Sequence, residues 1–272
     1  LKGGASIICP EMMTDLSSLP LGDFYRGRLL NFAHRGARRQ APENTLPAFE
    51  RAVELGADGI ELDVHLSADG VPVVIHDFDV DKTTDGTGAV AKKTLAELRE
   101  LDAGAHFSPQ FAGTRIPTLM EVFEAVGNRV LINIELKSYG SSPQLAQAVI
   151  DQVGAFNLIG RVLISSFSPF VLRQVRRLRP ELPVGYLYAP DLPLPLAKGW
   201  LARPVIGVHE ARHPHFSMVD ERYMDWARKN RYRVNVWTVN EPSDIERMRR
   251  LGVDMIISDY PERVRDVLRA ES

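Results

Sequence analysis

A chain of 272 residues with 44% hydrophobic and 25% charged side chains can build one large domain around a sizeable core. Its net charge of −2 gives no electrostatic basis for binding nucleic acid or an anionic membrane surface, and its single cysteine, Cys9, excludes an internal disulfide and a thiolate metal cluster. No apolar run approaches the ~20 residues a membrane span needs, so stable membrane insertion is not expected.

In chain order, residues 1–28 show neither helical nor strand period. Pro10, Pro20 and Gly22 interrupt them, and they read as a surface arm. They lack the basic region and clean apolar core of a signal peptide. The expectation is a soluble, cytoplasmic protein, with a leader removed ahead of Leu1 as the variant compatible with the non-Met start. Leu29 to Ala33 predicts a short strand ending at His34-Arg35-Gly36. A helix follows over Thr45 to Leu55, with Leu46, Phe49 and Val53 at helical spacing and Gly56 as the stop.

Ile60 to Val64 is β-branched and apolar, with Glu61 and Asp63 two apart. On a strand their carboxylates share one face. Ala68-Asp69-Gly70 signals a turn, and Val71 to Ile75 predicts a returning strand that brings His76 beside Glu61. Regularity lapses from about 79 to 113, an insertion holding one short helix at 94–104.

Alternation then resumes. Helices are predicted at 118–126, 143–153, 170–178, 221–229, 243–250 and 261–268. Strands are predicted at 130–136, 162–165, 184–188, 205–208, 234–237 and 255–257. Leaving out the returning hairpin arm, eight strands are nearly all followed by helical segments. The pattern predicts an α/β fold of the (β/α)8 TIM-barrel type over residues 29–272, with the insertion after the second strand.

In such a barrel the working groups sit at the C-terminal strand ends. Those ends carry His34 and Arg35, Glu61 and Asp63, Glu135 and Lys137, Ser165 to Phe167, Trp237, and Asp259. Glu61, Asp63 and Glu135 are all oxygen donors, which points to Mg²⁺ or Ca²⁺ rather than zinc; the alternative is a purely structural network with Arg35 and Lys137. His34 and His76 suit general acid–base work. Arg35 and Lys137 suit an anionic substrate group or neutralisation of Glu43 and Glu135, and Trp237 offers an apolar wall or simply core. His65 and His106 serve as controls. So do His209, His213 and His215, the first two expected after the sixth strand near the mouth.

Seven short motifs in order carry a resemblance: His34-Arg35-Gly36, Pro42-Glu43-Asn44-Thr45, Glu61-Leu62-Asp63-Val64, His76-Asp77, Glu135-Leu136-Lys137, Trp237-Thr238-Val239-Asn240 and Ser258-Asp259-Tyr260-Pro261. From about residue 30 to the C-terminus the chain resembles the glycerophosphodiester phosphodiesterases. The resemblance implies one divalent cation on Glu61, Asp63 and Glu135, catalytic histidines at His34 and His76, and phosphate contacts at Arg35 and Lys137. It places Glu43 as a partner of Arg35 or an occasional ligand. It also implies hydrolysis of a small-molecule glycerophosphodiester substrate to sn-glycerol 3-phosphate and an alcohol. Lysophospholipase D-like attack on lysophospholipids is the neighbouring alternative. A non-catalytic phosphodiester-binding barrel and unrelated sugar-phosphate chemistry fit less of the set. Arg38-Arg39-Gln40 departs from the small, glycine-rich stretch typical there and makes the mouth more cationic.

Overall fold

The computed structural model describes residues 24–138, 140–193, 202–207 and 209–270; most of the predicted arm, including Cys9, and part of the Pro-rich link after Tyr188 lie outside them. Eight parallel strands close on themselves: β1 (Leu30–His34), β2 (Gly59–Leu66), β4 (Leu131–Leu136), β5 (Val162–Ser166), β6 (Val184–Tyr188), β7 (Ala211–Pro214), β8 (Arg233–Val236) and β9 (Met255–Ser258). β1 closes the ring by pairing with both β2 and β9. The chain is a (β/α)8 barrel.

β3 (Pro72–Val74) is the extra strand, antiparallel to the upper end of β2. After it, residues 78–113 hold one short α-helix, α2 (Leu95–Glu100), capped by Thr94 and Glu97, and two 3-10 turns at Val90–Lys92 and Pro109–Phe111. Val80, Val90, Leu98 and Ala103 pack with Val73, Ile75 and Ile116 into a small core of their own. That core anchors the segment beside the mouth. α1 (Leu46–Glu54), α3 (Leu119–Val126), α4 (Pro143–Ala155) and α5 (Pro169–Leu178) cover the outer faces of the first half. Pro starts three of them at the first helical positions, where its missing N–H leaves nothing unpaired.

Two expectations are corrected. Val205 and Ile206 do not supply the sixth strand, and Val208 lies outside the described residues: Ala202–Ile206 is a short helix, α6, and the strand is β7 at Ala211–Pro214. Its sequence, Ala-Arg-His-Pro, has no apolar alternation. Arg212 is buried, with its guanidinium 4.6 Å from the Tyr232 ring centroid and 5.3 Å from that of Trp226, and His213 is buried too. Buried polar groups with aromatic and hydrogen-bonded partners hid the strand from a reading of hydrophobic pattern.

The second correction concerns the arm assigned to residues 1–28. Phe24 and Tyr25 lie 2% and 1% exposed among Leu30, Phe32, Leu131, Leu163 and Met255, and so form part of the barrel's interior packing. The Tyr25 hydroxyl accepts from Asn235 Nδ2 at 2.8 Å. Truncation of such a ring costs transfer energy plus a cavity. Phe24→Ala is therefore expected to lower unfolding free energy by about 3–5 kcal/mol, read as a fall in urea midpoint at constant m-value.

Candidate active site

Strand register assembles the rim. On the closing pair His34 lies level with Glu61, on the next Asp63 lies level with Glu135, and Glu135 lies level with Ser165. Glu61, Asp63 and Glu135 are buried, and each offers an oxygen within 4.8 Å of the others. All three therefore point at one spot.

Their charges are unequally compensated. Lys137 Nζ stands 2.9 Å from Asp63 Oδ1 and 2.7 Å from Glu135 Oε1. Arg35 Nε approaches Asp63 Oδ2 at 3.5 Å, and Asn44 Nδ2 donates to the same oxygen at 2.8 Å. Burial would raise the Asp63 carboxyl, but Lys137 and Arg35 outweigh it and hold the group well below the usual range. Glu61 and Glu135 go the other way. Burial, then repulsion from Asp63 and Glu135, pushes Glu61 far up; Glu135 is raised mainly by burial. A hard divalent cation is what this all-oxygen set fits, since it would let both glutamates ionise at one point.

Arg35 takes φ +56° and Gly36 φ +78°. A Cβ on Gly36 would stand 2.7 Å from the Ala48 carbonyl carbon, so only glycine passes this turn. The turn lets the Arg35 amide donate to Glu61 Oε2 at 3.1 Å while its guanidinium donates to Glu43 Oε1 at 2.7 Å. Glu43 is shared with Arg38 at 2.5 Å.

The two predicted histidines reach the same cavity by different routes. His34 ends β1, and its Nδ1 lies 2.7 Å from Asp259 Oδ1, beyond the end of β9. His76 was expected to return beside Glu61 on a regular strand. The register Val64↔Val74, continued, would set it level with Leu62 instead, but the pairing ends with the Ile75 amide donating to the Asp63 carbonyl at 3.0 Å, and the chain bends after Ile75. The bend is tied by a contact of His65 Nε2 with the His76 carbonyl at 3.1 Å, and His76 Nδ1 lies 2.5 Å from Asp77 Oδ1. Each imidazole thus has a carboxylate on Nδ1, which favours the tautomer with Nδ1–H donated and Nε2 free. Burial lowers the pKa of both rings, more than the neighbouring carboxylates raise it. Asp259, which burial alone would raise, is held at about 2 by the hydrogen bond from His34 and by nearby cations.

His34, Arg35, Glu61, His76, Glu135 and Lys137 border one cavity of about 150 Å³, with Phe167, Leu187, Trp237 and Ile257 as apolar wall. Trp237 is fixed edge-to-face against Phe167 at 5.5 Å. On the same lining, Asn133 Oδ1 and Ser165 Oγ are fully buried without a hydrogen-bond partner.

Asp63, Glu43 and Asp259 surround the cavity through these pairs. His209 and His213 do not reach it. His213 is wholly buried with Nε2 2.8 Å from Asn235 Nδ2, and His209 packs on Tyr232 at 4.9 Å. The sequence places Ser165 and Asp259 on the rim and Asn44 and Asp77 within the motifs without a role for any of them, and it does not single out Asn133; their partnerships with the site come from the structure. Their signal was adjacency in the quoted motifs and inward phase on β4 and β5, but nothing local said what they touch.

Residues 34–263 match the model of the glycerophosphoryl diester phosphodiesterase family. The chain is 43% identical over 244 residues to a glycerophosphodiester phosphodiesterase of Caldanaerobacter subterraneus subsp. tengcongensis, covering 89% of this chain and 98% of that one. Among solved structures it is similar to an Oleispira antarctica phosphodiesterase in complex with the product sn-glycerol-3-phosphate, at TM-score 0.79 and 32% identity over 90% of this chain and 98% of the other. A glycerophosphodiester phosphodiesterase from Agrobacterium tumefaciens gives TM-score 0.75 and 31% identity, covering 87% and 98%.

Two outcomes follow from the geometry. Asn44 sits at φ +57°, so glycine removes its amide without backbone strain; Asn44→Gly should weaken Mg²⁺ or Ca²⁺ binding about 10- to 100-fold by calorimetry. Asp259 has its pKa held at about 2 against an ordinary 3.8, so its contribution to stability is complete above about pH 4 and lost as pH falls through about 2. Melting temperature between pH 4 and 2 should therefore fall more steeply in the wild type than in Asp259→Asn.

Proposed function

The chain belongs to the glycerophosphoryl diester phosphodiesterase family and is a phosphodiesterase of that class; from this we propose that it hydrolyses glycerophosphodiesters to sn-glycerol 3-phosphate and an alcohol, using Mg²⁺ or Ca²⁺ on Glu61, Asp63 and Glu135 and acid–base work by His34 and His76. The observation that carries the reading is two imidazoles, each backed by a carboxylate, on one cavity that is also lined by Glu61 and Glu135, two of three clustered buried acids. When bound, the ion supplies Lewis-acid stabilisation of charge on the phosphate oxygens.

The chain's own groups do the remainder. Arg35 and Lys137 turn from their carboxylate partners toward the phosphate and balance its charge. One neutral imidazole accepts a proton from the attacking oxygen through Nε2. The other, protonated with help from the incoming anion, delivers its proton to the departing alcohol oxygen. Asp77 and Asp259 act as positioning residues by holding Nδ1–H. Asn133 and Ser165 receive glycerol hydroxyls, which satisfies two buried oxygens that otherwise lack partners. Trp237 covers the glycerol carbons.

A panel of glycerophosphodiesters assayed with EDTA, then with each ion restored, should show release of sn-glycerol 3-phosphate lost and regained; turnover indifferent to thorough chelation would sink the metal assignment. His34→Ala and His76→Ala should each cost about 10²–10⁴ in kcat with ion affinity kept. Ser165→Ala should raise KM for glycerophosphocholine about tenfold, the worth of one hydrogen bond, and leave turnover of bis(4-nitrophenyl) phosphate unchanged.

A further inference from the structure

Between β1 and α1 the chain turns back on itself, and Arg38 sits in that turn beside Arg35. Backbone pairing makes the placement. The Asn44 amide donates to the Arg35 carbonyl at 3.0 Å and closes the loop at its neck, while the Ala41 amide donates to the Ala37 carbonyl at 3.1 Å inside it. Arg35, Arg38 and Glu43 are thereby gathered at one corner of the rim.

Two guanidinium groups share Glu43, one on each oxygen. Arg35 Nη1 donates to Oε1 at 2.7 Å, and Arg38 Nη2 stands 2.5 Å from Oε2. The two cations differ in what they face. Arg35 lines the catalytic cavity, and its Nε is buried with no hydrogen-bond partner among the described residues. Glu43 and Arg38 lie behind it, off the cavity lining. On its other side Arg38 Nη1 is 3.6 Å from Asp259 Oδ1, the oxygen that also meets His34 Nδ1. Arg38 is therefore held between a carboxylate of its own loop and one just beyond β9, and Arg35 can move without releasing it.

That arrangement bears on how the site takes an anion. In the hydrolytic reading above, on which this inference rests, Arg35 turns from Glu43 toward the phosphate. The Glu43 side chain is only 11% exposed, and a buried carboxylate that loses its cation is a costly state. With Arg38 on the second oxygen, release of Arg35 leaves an ion pair instead of a bare charge. The like charge of Arg38 across the shared acid also weakens the hold of Glu43 on Arg35. We propose that Arg38 is a positioning residue for Arg35: it keeps Glu43 paired while Arg35 swings to the phosphate, and so sets the affinity of the site for phosphate esters.

The test compares the full chain with Arg38→Gln, Arg38→Lys and the double variant Arg38→Gln/Glu43→Gln, at fixed Mg²⁺ and ionic strength. Calorimetry with sn-glycerol 3-phosphate and with inorganic phosphate reads the exchange without turnover. Arg38→Gln should weaken both anions about tenfold, and with glycerophosphocholine most of its change in kcat/KM should fall in KM. Arg38→Lys keeps a charge on Glu43 and should lose no more than about threefold. Neutralising Glu43 as well frees Arg35, so the double variant should recover to within about twofold of the wild type. Unchanged affinity in Arg38→Gln would overturn the proposal. So would a loss that persists in the double variant, because a simple loop brace or a direct phosphate contact by Arg38 would not be rescued by neutralising Glu43. If no diester is hydrolysed while the loss and its recovery are both seen, the hydrolytic reading falls and the exchange at Glu43 stands.

Discussion

Three carboxylates held within 4.8 Å of one another in a buried rim are a standing electrostatic debt. Lys137 and Arg35 discharge it for Asp63, whose two oxygens are both occupied, and only partly for the glutamates. Glu61 and Glu135 are pushed toward the neutral form by burial and by their neighbours. An arrangement of this kind is poor structural design if stability is the only goal, because replacing buried charges by hydrocarbon is often neutral or better. The set fits a divalent cation, which would bring the positive charge that the three acids lack.

The same logic extends to the histidines. Burial drives both rings toward neutrality, which suits a base, and a carboxylate on Nδ1 fixes which nitrogen faces the cavity. One carboxylate is local and the other distant: Asp77 is the next residue after His76, and Asp259 lies 225 residues from His34. A barrel makes this possible because β1 closes against β9, so the first and last strands are neighbours. His65, a control in the sequence, emerges as the tie that fixes the His76 bend and the prop under Phe78.

Specificity is written on the cavity's surroundings. The cavity joins the polar side chains of Asn133 and Ser165 to an apolar wall of Phe167, Leu187, Trp237 and Ile257. Arg38 and Arg39, which the sequence suggested would make the mouth more cationic, are engaged with Glu43 and Asp259. Their charge braces the site's own acids.

The eight-fold alternation, the insertion after β2, and the motif positions of His34, His76, Glu61, Asp63 and Glu135 were legible in the linear order. Strands and helices with one wet and one dry face write their period into the chain. β7 was not legible, because Arg212 and His213 are buried by partners that only folding brings to them. Phe24 and Tyr25 were lost among breakers, although the barrel interior takes both rings. The pairing of His34 with Asp259 and the grip of Asn44 on Asp63 depend on strand closure and register. Those are relations between distant segments, set by hydrogen-bonded pairing and packing, and no local pattern of residues encodes them.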